Sequence, residues 1–313
     1  MSSGTPRPMI RAPWNLHGES SDCITLAGLA GGLVALALSV ALTGPVLFAG
    51  QFTSGVNLVE VYASVTDPQG NPIRGLTQAD FELRENGDPQ TISNFAAGEF
   101  PLSAAIAIDR SFSMTATRLS LAKSAAQAFL AELRQQDEAM VLAVGSQVEV
   151  VAPLSTDRAA QRDAINKLDV FGTTGLYDAI SHAIDDVQPA KGRRALVLLS
   201  DGDDRYSRVS AADALDRARR SDVMVFPVAL GAARPALFAE LATLTGGRSY
   251  HVRDGARLAD TLRTIARELR QQYLLGYTPT RSPVAGSNEW RSITVTVKRP
   301  DAQVRARDGY LVK

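Results

Sequence analysis

Residues 103–114 read Ser-Ala-Ala-Ile-Ala-Ile-Asp-Arg-Ser-Phe-Ser-Met. The first six positions carry no charge and no bulky polar group, so a strand built from them is apolar on both faces. The same holds for ALVLL at 195–199 and VMVFPVAL at 223–230. Strands of this kind need cover on both sides, and between them the text supplies helical stretches. The pattern predicts strands at 103–108, 138–144, 148–151, 194–199, 223–229 and 248–251. It predicts helices at 117–135, 157–168, 176–187, 211–221, 236–245 and 256–271. This is the signature of an α/β domain over 101–270 with a doubly wound, mainly parallel sheet. Val148 to Val151 follows its predecessor too closely for a crossover and is expected to be an antiparallel neighbour.

Outward from this segment the text changes. Residues 56–98 hold alternating apolar residues from Leu58 to Val65, a turn Asp67-Pro-Gln-Gly-Asn-Pro72, a strand at 81–84, a turn Asn86-Gly-Asp-Pro89 and a strand at 91–95. Strand text returns over 272–313, at 273–277, 293–298 and 304–307. Neither flank has strands enough for a core of its own. The expected arrangement is a doubly wound sheet inserted in, or flanked by, a small β-sandwich that takes its first part from 56–98 and its second from 272–313.

From Cys23 through Val59 no Asp, Glu, Lys, Arg or His occurs. Within that gap, 24–49 exceeds the roughly 20 apolar residues that cross a bilayer core, and it is read as one N-terminal transmembrane helix. A cleaved signal segment is the alternative. Arg7 and Arg11 place the tail 1–23 in the cytoplasm, so the remainder is expected outside the cytoplasm. The chain of 313 residues balances 33 Lys and Arg against 33 Asp and Glu, with three His and one Cys. That balance excludes a basic nucleic-acid footprint, and the Cys and His counts exclude a disulfide framework and a thiolate or imidazole zinc site. Any metal here is held by oxygen.

Three loops at predicted strand ends supply such oxygen. The first strand runs into Asp109, Ser111 and Ser113; the loop Phe171-Gly-Thr-Thr-Gly175 carries Thr174, with Thr173 as the adjacent alternative; and the 194–199 strand runs into Ser200-Asp201-Gly-Asp-Asp204. In open α/β sheets ligands bind at the carboxyl ends of the strands. Two carboxylates and three hydroxyls at one sheet edge suit a hard divalent cation.

These loops resemble the metal-ion-dependent adhesion site (MIDAS) of von Willebrand factor type A (VWFA) domains, written D-x-S-x-S, then Thr, then Asp. The segment 65–87, GLYDAI at 175–180 and the ending from QQYLLGYTP to VRARDGY resemble a bacterial VWFA-related group. The resemblance implies that Ser111 and Ser113 hold Mg²⁺ or Mn²⁺ directly, that Thr174 joins when ligand is bound, and that Asp109 and Asp201 act through waters. It further implies a protein partner presenting a Glu or Asp carboxylate. Phe112 stands where the family usually has glycine, as a partner contact or as a residue that crowds the loop, and Tyr206 is a partner contact or a plain exposed aromatic.

Blander assignments exist for the same residues. Asp109 and Ser113 suit helix caps, Asp178 suits the first turn of a helix, and Asp203 and Asp204 suit solvated loop positions. His182 and His251 read as structural, Arg193-Arg194 and Arg217, Arg219 and Arg220 as solvated faces, and Trp290 and Tyr310 as core of the β-domain. The expected function is a metal-dependent adhesion or interaction module of the bacterial envelope. The alternatives are an assembly protein with a vestigial metal site and a metal-dependent hydrolase. No enzyme is expected, because the text lacks G-x-S-x-G, H-E-x-x-H and P-loop patterns.

Overall fold

The computed structural model describes residues 58–98, 100–282 and 288–312. The proposed membrane segment 24–49 and the tail 1–23 lie outside these residues. Among the described residues no helix is long and apolar enough to cross a membrane.

The chain begins with β1 (Val59–Thr66), β2 (Phe81–Glu85), β3 (Asp88–Gln90) and β4 (Ile92–Gly98). It continues through β5 (Leu102–Asp109), α1 (Thr115–Glu132), β6 (Glu138–Val144), β7 (Val148–Ser155), α2 (Arg158–Asn166) and α3 (Leu176–Val187). Next come β8 (Arg193–Ser200), α4 (Ala211–Arg220), β9 (Val223–Leu230), α5 (Ala236–Thr245), β10 (Tyr250–Val252) and α6 (Leu258–Arg270). It closes with β11 (Gln272–Tyr277), β12 (Trp290–Val297), β13 (Gln303–Arg305) and β14 (Gly309–Leu311).

Strands β10, β9, β8, β5, β6 and β7 form one sheet in that order. All pairs are parallel except β6 with β7, which is antiparallel. Side chains alternate across the pleat, so Ala104, Ile106 and Ile108 of β5 enter one apolar layer with α1, α2 and α6, while Ala105 and Ala107 enter the other with α3, α4 and α5. The helices are cut to match. In α3 the buried residues Leu176, Ala179, Ile180, Ala183, Ile184 and Val187 recur every three or four positions and make a single stripe. Each fully buried Leu, Ile or Val side chain in these layers contributes about 1.5–3 kcal/mol.

The flanks build two four-stranded antiparallel sheets, β13-β1-β11-β4 and β14-β12-β2-β3, each drawing strands from both sides of the α/β segment. Their facing sides share one core that includes Val61, Val65, Phe81, Leu83, Leu275 and Ile293. Chain entry and exit are adjacent, since Gly98 at the end of β4 pairs with Gln272 at the start of β11. The turn after β2 is shorter than Asn86-Gly-Asp-Pro89, because Asp88 and Pro89 already belong to β3. Asn86 (φ 50°) and Gly87 (φ 89°) suffice for a two-residue hairpin, in which both central residues need positive φ.

Two expectations about solvated or core residues are corrected at the junction. Arg193 is only 2% exposed. It donates to Gln272 Oε1 and to the Phe100 carbonyl and stacks 5.6 Å from the Phe100 ring, tying the central sheet to the sandwich. Burial pulls its guanidinium down to about 10, because desolvation disfavours the charged form. Trp290 does not plug the sandwich core; it is half-buried with Arg219 of α4 4.3 Å above its ring, and Arg219 also pairs with Asp308 at 3.0 Å.

Candidate functional site

The strand order reverses at β5. The chain proceeds from β5 to β6 on one side and later places β8 on the other, so the carboxyl ends of β5 and β8 flank the switch point of the sheet, the place where open α/β sheets bind ligands. Asp109 closes β5 and Ser200 closes β8.

Asp109 is fully buried and fastens the two loops together. Its Oδ1 accepts from the Ser111 N–H at 2.9 Å, and its Oδ2 accepts from the Ser200 hydroxyl at 2.6 Å. The Ser200 Oγ in turn accepts from the Gly202 N–H at 3.0 Å. Burial pushes the Asp109 carboxyl above its ordinary value; the bonds from Ser200 and Ser111 oppose this, and the charge of Asp201 adds to it. Gly202 has φ 85°, and a Cβ there would lie 2.0 Å from Pro235 Cγ, so the β8 loop runs hard against the loop after β9 and only glycine fits.

The Ser111 and Ser113 hydroxyl oxygens stand 3.0 Å apart. Neither caps α1, which starts without a side-chain cap at Met114. Helix capping is therefore not what occupies Asp109 and Ser113. Thr115, directly after the loop, has φ 49° and ψ 160°. A β-branched residue in that region costs on the order of 1–3 kcal/mol, so the loop geometry is imposed by its surroundings.

Those surroundings are backbone bonds between loops. The Phe112 N–H donates to Gly172 O at 3.0 Å and the Phe171 N–H to Arg110 O at 2.7 Å. The Arg205 and Tyr206 N–H groups both donate to Thr174 O at 3.0 Å. The structure thus brings Asp109, Ser111, Ser113, Thr174 and Asp201 onto three interlocked loops. Thr173 and Thr174 separate clearly: Thr173 Oγ1 is bonded to Ser146 Oγ at 3.1 Å, whereas Thr174 is 1% exposed and its hydroxyl bonds to no other described residue. Asp201 is half-buried, with one long contact of 3.4 Å from the Asp203 N–H.

Neighbouring acids have other work. Asp204 is not a solvated loop charge, since its Oδ1 accepts from the Leu176 N–H at 2.7 Å and caps α3 from a separate loop. Its N-cap residue, Gly175, has no side chain with which to do so. Asp178 accepts from the Arg208 and Val209 N–H groups at 3.0 Å, pinning the segment before α4. Asp203 pairs with Arg205 at 2.6 Å. His182 is exposed on α3, and His251 is bonded to Gly231 O at 2.8 Å.

Phe112 is 67% exposed, so it projects from the loop rather than crowding it, and Tyr206 is 59% exposed. Phe171, also 59% exposed, joins them. It escapes sequence reasoning, although its position just before Gly172-Thr173-Thr174 is a usable signal. Ser200, as the donor to Asp109, was likewise legible only as the first letter of the Ser200-Asp201 pair.

Does this donor set fit a divalent cation? Among the described residues no group of three or more His, Cys, Asp or Glu could hold one. The hydroxyl pair fits instead, because octahedral ligands at roughly 2.0–2.1 Å from an ion stand about 2.9 Å apart, close to the 3.0 Å between Ser111 and Ser113. A buried carboxylate without a cationic partner lies beside that pair, among the described residues.

A doubly wound sheet with hydroxyls and carboxylates gathered at its switch point places the segment among the α/β domains of that class. Residues 104–203 match the family model of the von Willebrand factor type A domain. Such domains generally serve as protein-interaction modules. No curated protein sequence matches the chain. Among solved structures, a von Willebrand factor type A protein from Catenulispora acidiphila is similar with a TM-score of 0.51 at 18% identity, over 75% of this chain and 63% of that one. Proximal thread matrix protein 1 from the mussel byssus, described with a zinc-occupied MIDAS motif, is similar with a TM-score of 0.51 at 15% identity, over 60% of this chain and 50% of that one. At these identities the likeness is one of fold.

Proposed function

We propose that this chain is a non-enzymatic interaction module that captures a carboxylate of a partner protein through a divalent cation, Mg²⁺ or Mn²⁺. In this reading Ser111, Ser113 and Thr174 supply hydroxyl oxygens, while Asp109 and Asp201 balance charge and orient bound waters. A bound divalent cation supplies an electron-poor position that a Glu or Asp side chain of the partner completes. Asp109 holds the Ser111 backbone and the β8 loop together, so it sets the spacing of the hydroxyls. Phe112 and Tyr206 surround the position as partner contacts. The segment 24–49 would anchor the chain in a membrane, with the binding face outside the cytoplasm.

The observation that carries the reading is the Ser111–Ser113 hydroxyl pair beside a buried carboxylate, none of them engaged in capping the helix that follows. The zinc-occupied site in the mussel protein supports it as an instance of this fold holding a divalent ion. Isothermal titration of the full chain with Mg²⁺ and Mn²⁺ tests it. Saturable binding by the wild type that disappears in Asp109→Ala is expected; identical heats from the two proteins would remove the metal from the account.

A further inference from the structure

Among the described residues few large apolar side chains are exposed, and the aromatic ones share one face. Among the described residues the exposed large hydrophobics are Leu58, Phe112, Val150, Phe171 and Tyr206, and the three aromatics all stand on the loops around the hydroxyl pair. The backbone bonds between Phe112 and Gly172 and between Phe171 and Arg110 join the two loops that carry the phenylalanines, at the β5–β6 end of the face. Phe171 is held ready, because Arg110 lies 5.3 Å from its ring centroid and is itself fixed by Glu149 at 3.0 Å.

The opposite end of the face, above β8 and β9, has the other chemistry. Arg118 and Arg234 line a cavity of about 390 Å³ together with Asp201, Gly202, Asp203 and Pro235. Arg118 donates to Ser113 O at 3.1 Å, which draws its guanidinium towards the hydroxyl loop. Among the described residues neither arginine has an acidic partner, and Asp203 is already taken by Arg205. The face therefore differs from side to side: exposed phenylalanines on one side of the hydroxyl pair, and on the other two arginines without an acidic partner, beside Asp201 and the Asp203–Arg205 pair.

We propose that the partner segment bound here carries three features in line: a bulky apolar residue against Phe112 and Phe171, a central Glu or Asp at the hydroxyl site, and a second acidic residue over Arg118 and Arg234. The inference rests on the carboxylate-capture reading above and names its partner more closely. The spacing follows from the sheet. From β6 to β9 are three inter-strand steps, each about 4.8 Å, so the outer features lie roughly 14 Å apart, or about four residues of extended chain at ~3.3 Å each. An exposed apolar cluster flanked by charge is also the usual composition of a protein-binding surface.

The probe is a displayed peptide library with a fixed central Glu and four random residues on each side, selected on the full chain in Mg²⁺ or Mn²⁺. A parallel library carries Gln at the centre. The expected result is Glu-dependent retention with Phe, Tyr, Trp or Leu enriched on one side and Asp or Glu on the other, at about two residues from the centre. Phe171→Ser should erase the apolar enrichment and Arg234→Gln the second-acid enrichment, each weakening the best synthetic peptide by about tenfold, equivalent to about 1.4 kcal/mol. Both side chains are exposed, and melting curves of the variants confirm that the fold is kept. Glu-dependent selection with no flanking preference, or with preferences unaltered in both variants, overturns this inference and leaves the carboxylate reading standing. Equal retention of the Glu and Gln libraries overturns both.

Discussion

Replacing Asp109 with Asn separates what this carboxylate does for the fold from what it does for a cation. Asn keeps the shape. Its Oδ1 can still accept from the Ser111 N–H, and its amide can donate to the Ser200 Oγ, which now accepts where it donated before, while still accepting from Gly202. What is lost is a buried negative charge. The folded Asp109 carboxyl is raised above its ordinary value of 3.8, chiefly by burial. The stabilisation linked to its proton is therefore present below 3.8 and gone once the pH has risen through the folded value. Asn matches the uncharged form that burial favours and carries no charge to desolvate. Without metal, Asp109→Asn is expected to leave stability within about 1 kcal/mol of wild type or raise it, an effect of about 2–4 °C or less per kcal/mol for a domain of this size. Metal reverses the ranking. At a cation concentration one hundred times Kd the wild type gains about 2.7 kcal/mol, or about 5–11 °C in melting temperature, and Asp109→Asn gains nothing. Differential scanning calorimetry in EDTA and in Mg²⁺ reads both numbers. A metal-free loss above about 3 kcal/mol in Asp109→Asn, of the size caused by breaking a buried charge network, would refute the reasoning, as would an undiminished shift with Mg²⁺.

Two further expectations concern the sandwich. Glu85 and Arg291 are buried together at 2.9 Å, and Glu85 also accepts from the Tyr277 and Tyr310 hydroxyls, each at 2.7 Å; Glu85→Ala strands a buried guanidinium and should cost about 3–5 kcal/mol in urea unfolding, whereas a loss below about 1 kcal/mol would mean that Glu289 at 3.4 Å takes over the pairing. Burial and the bond to Glu85 push the Tyr310 phenol up to about 12, so its contribution to stability is full below the ordinary value of 10 and fades as the pH climbs towards about 12; phenolate absorbance should show one late-titrating group fewer in Tyr310→Phe, and an unchanged titration would contradict the bond.

The sequence and the structure part company at identifiable places. Apolar layers were legible because their information is local: the spacing in α3 and the uninterrupted AAIAI of β5 each state their own environment. The Asp109-Ser111-Ser113 loop was legible for the same reason. Arg193 was not. A pair of adjacent arginines reads as solvated, and only the insertion of one domain between neighbouring strands of another brings Gln272 and Phe100 to cover it. Asp204 escaped likewise, since it caps a helix that starts 28 residues earlier in the chain. Phe171 is not legible in the sequence because exposure of an aromatic is decided by which loop it is tied to, here through Arg110.

The central claim is that the hydroxyl pair and its carboxylates form a divalent-cation site. Crystals of the full chain soaked in Mn²⁺ and measured for anomalous scattering test it most directly. The account predicts one strong peak in contact with both Ser111 Oγ and Ser113 Oγ, at roughly 2.2 Å, which is absent from crystals of Asp109→Asn. A Mn²⁺ peak only at other carboxylates, or no peak on this face at saturating metal, would contradict it.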